Sequence, residues 1–304
     1  MKWLKSLIAI GALVCGTAHA FAPQAGSWVI TSEVNGLPGR GFMVDVQNGL
    51  FGMQMYAYES SGQPTFYLAV GPLVDNAITT ALHRYQGGRY FGSGPLSGTE
   101  TASPGNVSVR FTSSTEGFMT LPGESEVAIS RFEFGYTQGD ANNLMGLWLY
   151  TGVGQSSANN RIDVVRLTTN TGPALDGGTG LVVNDNDTFG CEQISPDATG
   201  YPQWLTECVA LQDLSNPNSA IAAYYLFSWS VNEGEGSMLD ATSGAEDGAV
   251  VVRRIADVND NSVEFSRRLP VAAPAKAASA QHNPQRLRQA LRDASAKLLK
   301  LKPN

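Results

Sequence analysis

Phe42-Met43-Val44-Asp45-Val46-Gln47 and Met53-Gln54-Met55-Tyr56-Ala57-Tyr58 flank the dipeptide Asn48-Gly49, and Thr65-Phe66-Tyr67-Leu68-Ala69-Val70 follows just after Ser61-Gly62. These are short apolar runs with period-two stretches, the pattern of strands with one buried face. The dipeptides between them accept the positive φ of tight hairpin turns. Successive strands of about six residues joined this way predict an antiparallel meander.

The style continues outward. Short apolar runs punctuated by glycine extend from Trp28 to Tyr90, and further strand candidates lie at 107–112, 126–134, 147–151, 162–168, 222–231 and 249–255. Hydrophobic residues make up 42% of the 304, charged residues only 15%, and there are 33 glycines, a balance that favours strands and turns around a real core. The fold class expected is all-β: an antiparallel meander forming a barrel or a sandwich. Gly-x-Pro-x-aromatic occurs at Gly62-Gln63-Pro64-Thr65-Phe66 and again at Gly200-Tyr201-Pro202-Gln203-Trp204, by internal repetition or by coincidence.

Composition divides the chain further. Residues 1–20 read as a secretory signal, with Lys2 and Lys5 ahead of an apolar run and Ala18-His19-Ala20 as a small-x-small cleavage site. The run is too short for a membrane anchor, so no transmembrane segment is expected in the mature chain. A first β unit is expected over 21–92, and a Gly/Ser/Thr/Pro-rich linker or long loop over 93–105. A second β region is expected over 106–268, either separate from the first or continuous with it. Residues 269–283, rich in Pro and Ala, read as a linker. From 284 to 301, Asn283-Pro284 opens a short basic amphipathic helix. Its Leu287, Leu291, Leu298 and Leu301 form one apolar stripe, ready for a partner protein or an envelope surface.

Two cysteines remain once the signal is removed, Cys191 and Cys208. In an exported chain they are expected to form a structural disulfide. Charge is uneven: residues 21–270 hold 26 carboxylates against 11 arginines, a net of −15, whereas 271–304 carry +6. An acidic body repels phosphate, so nucleic acid is not an expected partner.

Missing residue types exclude several chemistries. His83 is the lone histidine of the β body, so a histidine-rich metal site is excluded within one chain. No lysine occurs between Lys5 and Lys276, which removes Walker loops, Schiff bases and Ser-Lys dyads. With no Gly-rich dinucleotide fingerprint either, no cofactor is expected. The exception is calcium, for which Asp257, Asn259 and Asn261 place oxygen atoms at alternate positions. An Asx-rich turn accounts for the same residues, and for Asn184-Asp185-Asn186-Asp187. Chemistry that needs only two carboxyl groups about 5–10 Å apart is left open.

Aromatics supply the candidate ligand-binding residues: Tyr56, Tyr58, Phe66 and Tyr67 crowd neighbouring strands, and Tyr56 and Tyr58, two apart, share a face. An exposed aromatic row offers contact area at low entropic cost, which suits sugar rings or a protein; a sheet-to-sheet core accounts for the same rings.

The first unit resembles a family of exported β-proteins of proteobacteria with no assigned function. The matches are Gly26-Ser27-Trp28, Gly39-Arg40-Gly41-Phe42 and the Tyr-x-x-x-Gly-x-Pro-x-aromatic-Tyr run from Tyr58 to Tyr67, with Phe66 in place of Trp and Pro38 in place of Ser. Leu121-Pro122-Gly123 and Arg131-Phe132-Glu133-Phe134-Gly135 continue the resemblance, which spans about residues 26–135. It implies an exported antiparallel β unit and carries over no catalytic residue.

The function expected is that of an exported, non-catalytic β-rich binding or scaffold protein of the periplasm or the extracellular space, with carbohydrate a candidate ligand. The alternatives are a carboxylate-dependent polysaccharide hydrolase and a structural or matrix component.

Overall fold

Hairpin geometry follows the local sequence where the turn is short. In the computed structural model, which describes residues 22–101, 103–201, 203–212, 221–240, 242–257 and 284–300, strand β2 (Gly41–Gln47) pairs with β3 (Leu50–Tyr58) through Gln47↔Leu50. Asn48 and Gly49 between them both take positive φ, 50° and 75°, the two-residue turn whose twist matches the strands. Phe42, Val44, Phe51, Met53 and Met55 are buried, and Met43, Leu50 and Tyr56 point to the other, exposed face.

The chain divides into two compact units, one built on Ile30–Ile129 and the other on Ser130 onward together with Gly26–Val29, although the strand those four residues open is hydrogen-bonded into the first sheet. The first sheet adds β1 (Gly26–Ile30), β4 (Pro64–Pro72), β5 (Ala77–Gln86), β6 (Thr99–Glu100), β7 (Gly105–Phe111), β8 (Glu116–Thr120) and β9 (Val127–Arg131). Its order is β4-β3-β2-β1-β9-β8-β7-β5-β6. The further pairing of β4 with β5, at Tyr67↔Arg84 and Leu68↔His83, closes the sheet into a barrel, with β6 added on the flank of β5.

This corrects the expected boundary. The Gly-rich stretch 93–105 connects β5, β6 and β7 within the first sheet, and β7–β9 return to it. Composition marks a loop but not where the chain goes after it.

The second unit is a closed barrel of β10 (Gly146–Gly154), β11 (Arg161–Asn170), β12 (Val182–Asn184), β13 (Phe189–Ile194), β14 (Leu205–Leu211), β15 (Ile221–Ser230), β16 (Glu233–Leu239) and β17 (Glu246–Ala256), closed by β10 against β17. All its neighbouring strands are antiparallel, so both the fold class and the barrel alternative hold. Side chains fill its interior: Trp148, Tyr150, Phe189, Tyr225, Phe227 and Trp229 among others. Cys191 and Cys208 form the disulfide inside it, between directly opposed positions of β13 and β14 with Cα atoms 4.1 Å apart. A short helix α1 (Pro196–Thr199), capped by Ser195 and ended by Gly200 at φ 71°, joins those two strands. Helix α2 (Gln285–Lys300) lies on the outer surface, packing Leu287, Leu291 and Ala294 against Val183, Val209, Leu211 and Tyr224.

A device recurs in the two barrels. Gly26-Ser27-Trp28 opens β1 and Gly146-Leu147-Trp148 opens β10, with both tryptophans 1% exposed. The two glycines take φ of +120° and +132°. A Cβ on Gly26 would strike the Arg131 guanidinium, and one on Gly146 would lie 2.6 Å from the Ala256 carbonyl oxygen and 3.0 Å from Arg254 Nη1. Each arginine comes from the strand paired with the tryptophan's own, β9 beside β1 and β17 beside β10. Arg131 Nη1 donates to the Ser27 carbonyl at 2.6 Å, and Arg254 Nη1 to the Met145 carbonyl at 2.6 Å.

Candidate functional site

The four aromatics singled out from the sequence divide between two faces. Tyr56 lies directly opposite Phe66 across β3 and β4, and Tyr58 opposite Pro64. Tyr56, Tyr58 and Phe66 are 53%, 51% and 45% exposed, on the outer face of the first barrel. Tyr67 pairs with the buried Met55 and so sits on the opposite face, apart from the other three. The period of two requires this, since Phe66 and Tyr67 are adjacent.

Around the three rings the outer face is mostly apolar, with Asp45 of β2, opposite Gly52 and bonded by Gln47 at 2.6 Å, as a carboxylate on it. β3 contributes Leu50, Gly52 and Gln54 to it, and β4 contributes Pro64, Leu68, Val70 and Pro72. Leu68 in turn faces His83 on β5, whose Nδ1 is 2.6 Å from Glu100 Oε1 on β6. An aromatic platform bordered by an amide, the Asp45 carboxylate and an imidazole–carboxylate pair can stack on the apolar face of a sugar ring while hydrogen-bonding its hydroxyls.

Asp257, one of the three candidate calcium ligands, accepts a hydrogen bond from the Tyr136 hydroxyl at 2.9 Å and lies 3.7 Å from Arg254. Asn259 and Asn261 fall outside the described residues. The tract from Asn184 to Asp187 makes the β12–β13 turn: Asn184 Oδ1 accepts from the Thr188 and Phe189 amides, and Asp187 takes φ +53°. Among the described residues no group of three or more His, Cys, Asp or Glu could hold a metal ion.

Of the predicted helix stripe, Leu287 and Leu291 are fully buried on the second barrel, and Leu298 packs partly against the same cluster. Leu301 is outside the described residues. The helix thus meets its own barrel. Arg288 donates to the carbonyls of Thr171 and Pro173, and Arg292 to that of Ala174.

Beneath α2 lies an arrangement the sequence reading missed. Glu192 and Glu207 are direct partners across β13 and β14, 0% and 3% exposed. Glu192 accepts from the backbone amides of Ala174, Leu175 and Gly180 at 2.9–3.1 Å. Glu207 accepts from the Tyr224 hydroxyl at 2.6 Å and the Ser295 hydroxyl at 3.1 Å. Burial raises the pKa of both carboxyls, and Glu207, further raised by the charge of Glu192, is pushed up to about 7. The cysteines hold the signal that could have located the pair: once Cys191 faces Cys208 in an antiparallel ladder, 192 must face 207.

A recess of about 290 Å³ opens on the second barrel, lined by Asn159, Arg161, Ala222, Met238, Asp240 and Asp247. Its polar groups bind one another: Arg161 pairs with Asp163 at 2.6 Å, and Asn159 donates to both Asp247 oxygens at 2.9 Å.

Compared with family models, curated proteins and solved structures, the chain matches none.

Proposed function

We propose that this is an exported, non-catalytic binding protein that takes a neutral polysaccharide chain on the outer face of β3 and β4. The observation that carries the reading is the exposed ring pair Tyr56 and Phe66, in direct register, extended by Tyr58 on the same face. A flat row of rings suits an extended chain of sugars, and the bordering carboxylates Asp45 and Glu100 disfavour an anionic one. Export rests on the signal-like residues 1–20 and is supported by the disulfide between Cys191 and Cys208. No helix among the described residues is long and apolar enough to cross a membrane. The hydrolase reading draws no support from Glu192 and Glu207, because both are buried, Glu192 against the 174–180 segment and Glu207 under α2.

The test is retention of the full chain in native gels cast with soluble glucan, xylan or mannan, and its co-sedimentation with cellulose, chitin and peptidoglycan sacculi. Retention is expected on at least one. Each ring that covers about 60 Å² of sugar contributes roughly 1.5 kcal/mol, so Tyr56→Ala or Phe66→Ala should weaken binding about tenfold. Binding unchanged in the double variant, or no retention on any of the six, overturns the reading.

A further inference from the structure

Two carboxylates buried face to face under a helix need an explanation that packing does not supply. The strip that receives α2 is apolar apart from them: Leu181, Val183, Val209, Leu211 and Leu239 surround Tyr224. Glu192 has three backbone amides, and Arg288 on α2 favours its charge. Glu207 has only hydroxyls, from Tyr224 on β15 and Ser295 on α2. A hydroxyl accepts as readily as it donates, so the contact between Ser295 and Glu207 survives whether or not Glu207 carries a proton. The other charges of α2 near this strip are engaged elsewhere: Arg292 on the Ala174 carbonyl, Asp293 with Gln289, and Lys297 acting on Asp240. Of the pair, Glu192 is therefore suited to keep its charge and Glu207 to take the proton.

We propose that the docking of α2 is coupled to proton uptake at this pair: the helix is held while Glu207 is protonated and loosens when Glu207 ionises. The docked Glu207 is pushed to about 7 by burial and by Glu192; undocking returns it to water but leaves Glu192 opposite it, so its pKa falls toward, and no lower than, the ordinary 4.5. Docking is thus at full strength below pH 4.5. It weakens as the pH rises from there to 7, by at most about 300-fold in all, and is level above. Loosening uncovers the leucine stripe of α2 and the apolar strip on the barrel together.

The test is hydrogen exchange of the full chain between pH 4.5 and 8, with protection corrected for the intrinsic exchange rate. Protection of residues 287–298 should fall by up to about 300-fold across the window while that of β10–β17 holds, and Glu207→Gln should flatten the profile. Carboxyl carbon NMR of the unaltered chain should place the Glu207 titration near 7, a readout that stands even where the variant does not fold. Three results would each overturn the proposal: protection of α2 equal at pH 5 and pH 8, a slope that persists in Glu207→Gln, or a Glu207 that titrates near 4.5.

Discussion

Removing the guanidinium of Arg254 should unlock the second barrel at its closing seam. Arg254 is 7% exposed, its Cζ 4.3 Å from the ring centroid of Trp148, 4.7 Å from that of Tyr136 and 5.6 Å from that of Trp229. It donates to the carbonyls of Asn143 and Met145, tying the segment before β10 to β17. Arg254→Ala leaves two carbonyls without their donor, at about 1.5–3 kcal/mol each for hydrogen bonds to a charged group. It also forfeits a desolvated stack on three rings, about 2 kcal/mol. Against these stands the relief of a buried cation, whose pKa burial lowers. The net expected is a loss of about 4 kcal/mol, or roughly 8–16 °C in Tm for a unit of this size. Arg254→Met keeps an apolar stem against the rings with no charge to bury, and should lose about half as much. Urea unfolding followed by tryptophan fluorescence is the assay, because Trp148 and Trp229 both border the guanidinium. An Arg254→Ala chain within 1 kcal/mol of the parent would refute the reasoning, since neither the carbonyl bonds nor the stack would then matter.

Two further outcomes are expected. Replacing Cys191 and Cys208 together by serine opens a 17-residue loop and should cost about 3 kcal/mol from loop-closure entropy, read from the urea midpoint of the second unit. An unchanged midpoint would mean that the unfolded chain is not loosened by the loss of the bond. Leu291→Ala empties a fully buried site under α2 and should weaken its docking by about 2–5 kcal/mol, exposing residues 287–298 to proteolysis. Helix protection equal to that of the parent would show that the arginine–carbonyl bonds alone hold it.

Local features are legible in the sequence. Phe42 to Tyr58 carries its own strands, its turn and its buried face, because side-chain period and Asn-Gly turn geometry are properties of neighbouring residues. The disulfide was likewise predictable from an exported chain with two cysteines. The separation of Tyr67 from Tyr56 and Phe66 was also available, from parity alone. The second Gly-x-Trp, at Gly146, was there to be matched with the first at Gly26.

The rest needed the fold. β13 and β14 read poorly because every residue is buried, one face by the barrel interior and the other by α2 and the 174–180 segment, so no alternation marks them. The assignment of β7–β9 to the first barrel depends on β1 meeting β9 about a hundred residues away, a pairing that no window of sequence contains. Leu287 and Leu291 announce an apolar helical face, but the surface that receives it is assembled from β12, β13, β14 and β15. The sequence by itself determined strands, turns, a disulfide and an amphipathic helix, because these follow from residues close along the chain. Only the tertiary structure decided which strands close which barrel, which aromatics face water, and that two carboxylates share a dry site under α2, because burial and register are set by parts of the chain that meet only once it has folded.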